Sequence, residues 1–286
     1  MIIAIASGKG GTGKTTVAVN LAQLYTGPLQ LLDCDVEEPN LHLFLPTGEV
    51  DEEIITVPIP VVDENLCDGC RACSDLCEFN AIIVPKKVAL VFPEMCHSCG
   101  GCMMVCPQKA IKEKEQRIGI IRRSRTGSIQ LIQGLIDVGV TSVPPLIRAV
   151  KKRVDPALPV LIDAPPGTSC PVVTSVRGAG YVILVTEPTP FGLHDLALAV
   201  EMVRSLGLAF GVVINRVGIG DERVQEYCRR EKIDILLEIA DDRRIAEAYS
   251  RGQLACEAVP EFRQSISVLK ERLEKLAVLH AAGRRS

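Results

Sequence analysis

The stretch Ile2–Tyr25, IIAIASGKGGTGKTTVAVNLAQLY, decides how the rest of the chain is read. An apolar run from Ile2 to Ala6 leads into the glycine-rich segment Ser7 to Thr16, and the apolar residues beyond it recur at helical spacing. Strand, glycine loop and helix in that order build a phosphate cradle. Gly8, Gly13, Lys14 and Thr15 occupy the fixed positions of GxxxxGK[ST]. In such a loop the backbone N–H groups, here of Gly10, Gly11, Thr12, Gly13 and Thr16 as well, face phosphate oxygens. Lys14 reaches the β and γ oxygens and Thr15 ligates magnesium.

Further apolar runs punctuate the chain at Leu29–Leu32, Ile118–Ile121, Val160–Ile162, Val182–Thr186, Ala209–Ile214 and Ile235–Glu238. Most alternate with helical patterns, of which Leu193–Leu206 and Asp221–Glu231 are the clearest. Strands alternating with helices predict an α/β fold with a mostly parallel sheet covered by helices on both faces. Ligands of such sheets bind at the carboxyl ends of the strands. Asp33 and Asp35, in LQLLDCDVEEPN, and Asp163, in VLIDAPPGTSC, emerge at such ends, with Cys34 read as a core residue.

A second signal is written twice. Cys67, Cys70, Cys73 and Cys77 have the spacing CxxCxxCxxxC, and Cys96, Cys99, Cys102 and Cys106 repeat it 29 residues later, together with Ala81-Ile82 and Ala110-Ile111. Three thiolates at i, i+3 and i+6 wrap three corners of an iron-sulfur cubane, and the fourth reaches the other cluster. The expected ligand sets are therefore Cys67, Cys70, Cys73 and Cys106 for one 4Fe-4S cluster, and Cys77, Cys96, Cys99 and Cys102 for the other. Zinc sites pair two distant CxxC units, and disulfide frameworks belong to short secreted chains, so both fit the spacing less well.

From about Val61 to Glu113 the chain resembles a bacterial-type two-cluster ferredoxin; Pro107 follows Cys106 as in that family, while Glu78 departs from the same pattern after Cys77. Pro58 and Pro60 before it and the charged run KEKEQR after it read as breaks between packed elements. The expected organisation is a discontinuous ATPase domain, 1–57 and 116–286, with a small α+β ferredoxin-like insert at 58–115.

KGGTGKT, with the second lysine Lys9, resembles the deviant Walker A loop of the ParA, MinD and nitrogenase-iron-protein ATPases, which are P-loop NTPases. That resemblance implies a homodimer held face to face by ATP, with Lys9 crossing to the partner's nucleotide. It also implies that Asp35 orients the attacking water, that Asp33 sits near the magnesium shell, that Asp163 holds magnesium through water beside a mobile Gly167, and that Asn215 reads adenine. With TEPTPFGLHDL, Thr186 to Leu196, the whole chain resembles MinD-superfamily ATPases carrying an inserted ferredoxin domain.

The bulk properties fit. At 286 residues there is room for one full domain and a small module, and a net charge of −3 gives no footprint for nucleic acid. No apolar run of about 18 residues is present to span a membrane. Met1 leads straight into a strand, so no secretory leader is expected, and thiolate clusters imply the reducing cytoplasm. Arg122, Arg123, Arg125, Lys151, Lys152 and Arg153 read as solvated charge, the apolar spacing of Ser267–Leu279 as a helix packed on the domain, and Cys170, Cys228 and Cys256 as small buried residues.

The cofactors expected are ATP, Mg2+ and two 4Fe-4S clusters. The activity expected is a nucleotide-switched ATPase that passes electrons through those clusters to a redox or metallocofactor protein. Delivery of clusters to a target and redox-sensitive positioning of a partner are the alternatives.

Overall fold

The computed structural model describes residues 1–46 and 48–283, with side chains described as far as residue 278, so Leu279 of the expected tail helix and residues 284–286 of the expected ATPase segment lie outside that description. The amino-terminal half contains β1 (Ile2–Ser7), α1 (Lys14–Gln23), β2 (Leu29–Asp33), β3 (Asp51–Val62), α2 (Ala72–Leu76), β4 (Ile82–Ile83), β5 (Leu90–Val91), α3 (Gly101–Val105), β6 (Ile111–Thr126) and β7 (Ile129–Ile136). The remainder contains α4 (Pro144–Lys151), β8 (Val160–Pro166), α5 (Cys170–Val176), β9 (Tyr181–Thr186), α6 (Pro190–Ser205), β10 (Phe210–Val217), α7 (Arg223–Arg230), β11 (Ile235–Ala240), α8 (Arg243–Ser250), α9 (Ala255–Ala258) and α10 (Pro260–Gly283).

Nine strands form one sheet in the order β11-β10-β9-β1-β8-β2-β7-β6-β3. All pairings from β11 to β7 are parallel, and β6 and β3 add antiparallel strands at one edge. Successive side chains of a strand point to opposite faces. Thus Ile3, Ile5, Leu31, Ile183 and Val185 pack under α1 and α10, whereas Ala4, Ala6, Leu32, Val182 and Leu184 pack with α4, α5, α6 and α7. Burial on both faces explains why these strands read as unbroken apolar runs. The tail helix lies on the first face through Ile266, Leu269 and Leu273, each 0 % exposed. Among the described residues, no helix is long and apolar enough to cross a membrane.

The antiparallel edge differs from the sequence expectation. Pro58 and Pro60 do not break the chain; they lie inside β3 opposite Glu115 and Glu113 of the KEKEQR run, which lies inside β6. The physical reason is the edge position: β3 has a neighbour on one side only, so a proline N facing solvent forfeits no ladder bond. Residues 112–117 are exposed on both faces and show no apolar alternation to announce a strand. The boundaries at 58 and 115 therefore fall within a two-stranded arm that runs out from the sheet and carries the cysteine segment at its end.

Three further expectations are corrected. Arg122, Arg123 and Arg153 are not simply solvated: they pair with Glu52, with Asp51 and Glu53, and with Glu53, joining β3 to β6 and to the turn after α4. Lys151 donates to the carbonyls of Thr174 (2.7 Å) and Ser175 (2.8 Å), capping the end of α5, where the last carbonyls lack helical partners. Cys170 is exposed at the start of α5, whereas Cys228 and Cys256 are buried.

Candidate nucleotide and thiolate sites

Because β1, β2, β8 and β10 run parallel, their carboxyl ends meet on one edge of the sheet. There they surround a cleft of about 470 Å³ lined by Gly10, Gly11, Gly13, Lys14, Thr15, Thr16, Asp35 and Asn215. Gly13 caps α1 with a left-handed φ of 95° and no side-chain capping bond. A helix start without a side-chain cap leaves its first N–H groups for an anion, and the helix dipole favours negative charge there.

The acidic residues meet different fates. Asp163 accepts a 2.7 Å hydrogen bond from Thr15 Oγ1 through Oδ2, while its Oδ1 is buried without a partner. An orphaned carboxylate oxygen beside a hydroxyl, at the mouth of a phosphate loop, fits a divalent cation. Burial pushes the Asp163 carboxyl up to about 6, against the pull of Lys14 and the Thr15 hydrogen bond and with the push of Asp35. Asp35 rises to about 6 as well, mainly through burial, with Glu38 and Glu37 opposing its ionisation and Lys14 favouring it. Asp33 is fully enclosed: Oδ1 accepts from the Asp35 amide, and Oδ2 from the Leu41 amide and Gln133 Nε2. Burial and the charge of Asp163 hold its carboxyl well above the usual range. Asp33 therefore stands behind the cleft, and it is Asp35 that lines it. Cys34 is fully buried between them, as expected.

Lys9 does not face the cleft of its own chain. Its Nζ lies 3.1 Å from Glu187 Oε2, and Glu187 Oε1 accepts from Arg216 Nη1 at 2.9 Å. Gly8 packs so tightly that a Cβ there would strike the backbone of Asp195. Asn215 Nδ2 donates to the Thr12 carbonyl at 2.9 Å, bringing the end of β10 against the loop. Thr12 Oγ1 is buried without a partner, and Gly167 has φ 98°. The far wall of the cleft, Arg216 with Asp241, Asp242 and Tyr249, was not anticipated. It comes from β10 and the segment from β11 into α8, distant stretches that carry no local motif.

The eight repeated cysteines surround two cavities. Cys67, Cys70, Cys73 and Cys106 line one; Cys77, Cys96, Cys99 and Cys102 line the other, with Cys73 contributing to the wall between. The grouping is crossed, the last thiol of each copy lying with the first three of the other. The duplication extends to the backbone: positive φ recurs at Gly69 (72°) and Ser98 (55°), Arg71 (71°) and Gly100 (70°), and Asn80 (52°) and Lys109 (50°). Amides of Ser98 and Ala110 lie 3.4 and 3.3 Å from Cys96 Sγ and Cys106 Sγ, in place to stabilise thiolates.

Burial raises the Cys73 thiol, and burial raises Cys102 to about 11, with neighbouring cysteine charge adding to both. Four mutually repelling thiolates need positive metal centres among them, and donor type and number fit a cubane in each cavity. Among the described residues, no three Cys, His, Asp or Glu side chains converge tightly enough to hold one metal ion.

Comparison with known proteins places this geometry. The family model described as the CobQ/CobB/MinD/ParA nucleotide binding domain matches residues 3–255. An uncharacterised protein of Methanocaldococcus jannaschii is 30 % identical over 260 residues, 88 % of this chain and 90 % of that protein. The iron-sulfur cluster carrier protein of Pyrococcus abyssi is 28 % identical over 269 residues, 87 % of this chain and 77 % of that one. Among solved structures, the septum site-determining protein MinD of Pyrococcus horikoshii, complexed with Mg-ADP, superposes with a TM-score of 0.58 at 22 % identity, covering 98 % of both chains. That likeness shows a shared fold. With a phosphate loop at the head of such a sheet and a family match over most of its length, the chain belongs to the CobQ/CobB/MinD/ParA nucleotide-binding family, the P-loop ATPases of MinD and ParA type.

Proposed function

We propose that this protein is a redox-linked ATPase: a nucleotide-switched homodimer in a reducing compartment that couples ATP hydrolysis to electron transfer through two 4Fe-4S clusters held by the insert 58–115. The observation that carries the reading is the presence on one chain of a phosphate-loop cleft and two cavities, each ringed by four free cysteines. The clusters, when bound, supply one-electron storage at potentials tuned by hydrogen bonds to sulfur and by solvent access.

The chain's own residues do the rest. Amides of Gly10 to Thr16 hold the phosphates, Lys14 neutralises the γ-phosphate oxygens, and Thr15 Oγ1 and Asp163 Oδ1 would hold Mg2+, with Asp33 behind them. Asp35, at the cleft wall, positions the attacking water. Asn215 turns from Thr12 to the base, and Lys9 exchanges Glu187 for the partner's nucleotide. Hydrolysis then releases the Gly167 turn and, through α5, the segments packed on it.

The test is anaerobic preparation followed by metal analysis and turnover. Expected are about eight irons per chain and an ATPase rate that differs between reduced and oxidised protein. A colourless, zinc-loaded preparation overturns the cluster reading; equal rates overturn the coupling. The similarity to an iron-sulfur cluster carrier protein favours delivery as a second reading. Retention of both clusters after incubation with an apo-acceptor and ATP would count against it.

A further inference from the structure

Between the second cysteine loop and the helices α4 and α5 lies an open groove of about 660 Å³. Arg148, Lys151, Lys152 and Arg177 line it, and no carboxylate does. Lys151 is engaged by the end of α5, whereas Arg148, Lys152 and Arg177 are exposed. Elsewhere Arg122 and Arg123 of β6 are matched by Glu52 and Glu53 of β3, and the chain as a whole is net negative at −3. Among the described residues Arg148, Lys152 and Arg177 pair with no carboxylate, so the groove is a local concentration of positive charge on an acidic protein.

His97 forms part of two walls at once, that of this groove and that of the cavity ringed by Cys77, Cys96, Cys99 and Cys102. Its ring stacks on Phe79, with centroids 3.6 Å apart and planes 11° from parallel. Phe79 is 41 % exposed, so a conjugated pair bridges the sulfur cavity and solvent beside the positive charges.

We infer that this groove is the docking surface of an acidic one-electron carrier protein, and that the second cysteine loop, behind the His97–Phe79 stack, is its port of electron exchange. The inference rests on the cluster reading for the exchange but not for the docking. An enclosed ligand site buries most of its ligand among apolar walls. Here the charges stand at an open rim beside an exposed aromatic ring, the composition of a protein interface steered by charge. In the exchange the reduced carrier loses one electron and the thiolate-held centre gains one; no bond is made or broken and no proton moves. Because α5 follows the Gly167 turn directly, the surface is built partly on the element that leaves the nucleotide cleft.

The probe is a reduced acidic plant-type 2Fe-2S ferredoxin, mixed anaerobically with the iron-loaded full chain and with an Arg148→Glu, Lys152→Glu double variant. At low salt the second-order rate of chain reduction is expected to fall by about tenfold or more in the variant, with a flatter ionic-strength dependence. Photoreduced deazaflavin, which requires no docking, is expected to reduce both proteins equally. Calorimetric titration with oxidised ferredoxin, on protein with or without iron, reads docking alone and should weaken to the same degree.

Unchanged rate and affinity in the variant would overturn the proposal. So would tight, variant-sensitive binding of inorganic pyrophosphate without ferredoxin binding, the signature of a small-anion site. Low iron with charge-dependent ferredoxin binding sinks the cluster reading and leaves the docking surface standing.

Discussion

Thr15 Oγ1 and Asp163 Oδ2 are joined by a 2.7 Å hydrogen bond that ties the first turn of α1 to the middle of β8 and leaves Asp163 Oδ1 buried and unpaired. The proposed magnesium position is thus built from two segments 148 residues apart. A buried carboxylate oxygen without a hydrogen-bond partner costs stability when it is ionised.

The pH dependence follows from the sign of that cost. The Asp163 carboxyl stands at about 6 in the folded chain against an ordinary 3.8. Between those values the folded chain binds more protons than the unfolded one, so this group's contribution to stability is complete below the unfolded value and is lost as pH rises through the folded one. Asp163→Asn should lack that loss and gain roughly 1–3 kcal/mol over wild type on going from about pH 4 to about pH 7.5, measured by urea unfolding without nucleotide. Mg-ATP should stabilise the wild type and not the variant. A parallel pH response in both would show that folding leaves the Asp163 carboxyl unshifted.

Glu187, 6 % exposed, holds Lys9 on one oxygen and Arg216, a cleft residue, on the other. Glu187→Gln should loosen Lys9 and tighten nucleotide-dependent self-association by about fivefold, the equivalent of roughly 1 kcal/mol for a partly exposed pair. Lys9→Ala should abolish it. Sedimentation with a non-hydrolysable ATP analogue reads both, and an unaltered dimer constant in Glu187→Gln would show that the Glu187 pair does not hold Lys9 back.

What was legible in the sequence was what is local or doubly buried. The phosphate loop is contiguous, and strands such as β1 and β9 are apolar on both faces, so their residues announce them. The thiol spacing is local too: it raised the expectation of two crossed ligand sets, and the same two groups of cysteines line the two cavities. The arm of β3 and β6 was illegible because neither face of residues 112–117 is buried and because proline breaks a strand only where its N–H is needed. Arg216 and Tyr249 were illegible for another reason: they enter the cleft through tertiary packing of β10 and α8, with no spacing to mark them.

The two cysteine loops share a backbone but not a requirement for glycine. At Gly69, φ is 72° and a Cβ would meet the Lys87 carbonyl at 2.7 Å; at the equivalent Ser98, φ is 55° and a side chain is already accommodated. Gly69→Ser should therefore distort the first loop and lower iron from about eight to about four per chain, while Ser98→Gly should keep about eight. Metal analysis with low-temperature electron paramagnetic resonance separates the outcomes. Equal iron in both variants would mean that the Lys87 turn yields to the new side chain.

The crossed grouping has a consequence that single variants cannot reach. If Cys106 belongs with Cys67, Cys70 and Cys73, then Cys70→Ala and Cys106→Ala each remove the same cluster. The double variant then holds as much iron as either single one, about four per chain. If each copy bound its own cluster, Cys70→Ala and Cys106→Ala would strike different centres, and the double variant would lose nearly all its iron. Cys77→Ala combined with Cys106→Ala does not distinguish the two, because crossed and uncrossed ligation alike lose both clusters, and it serves as the control for full loss. Anaerobic reconstitution with iron and sulfide analysis of the wild type and these four variants therefore tests the grouping of the thiols independently of electron transfer. Iron in the Cys70→Ala, Cys106→Ala protein well below that of the single variants would dissolve the crossed assignment.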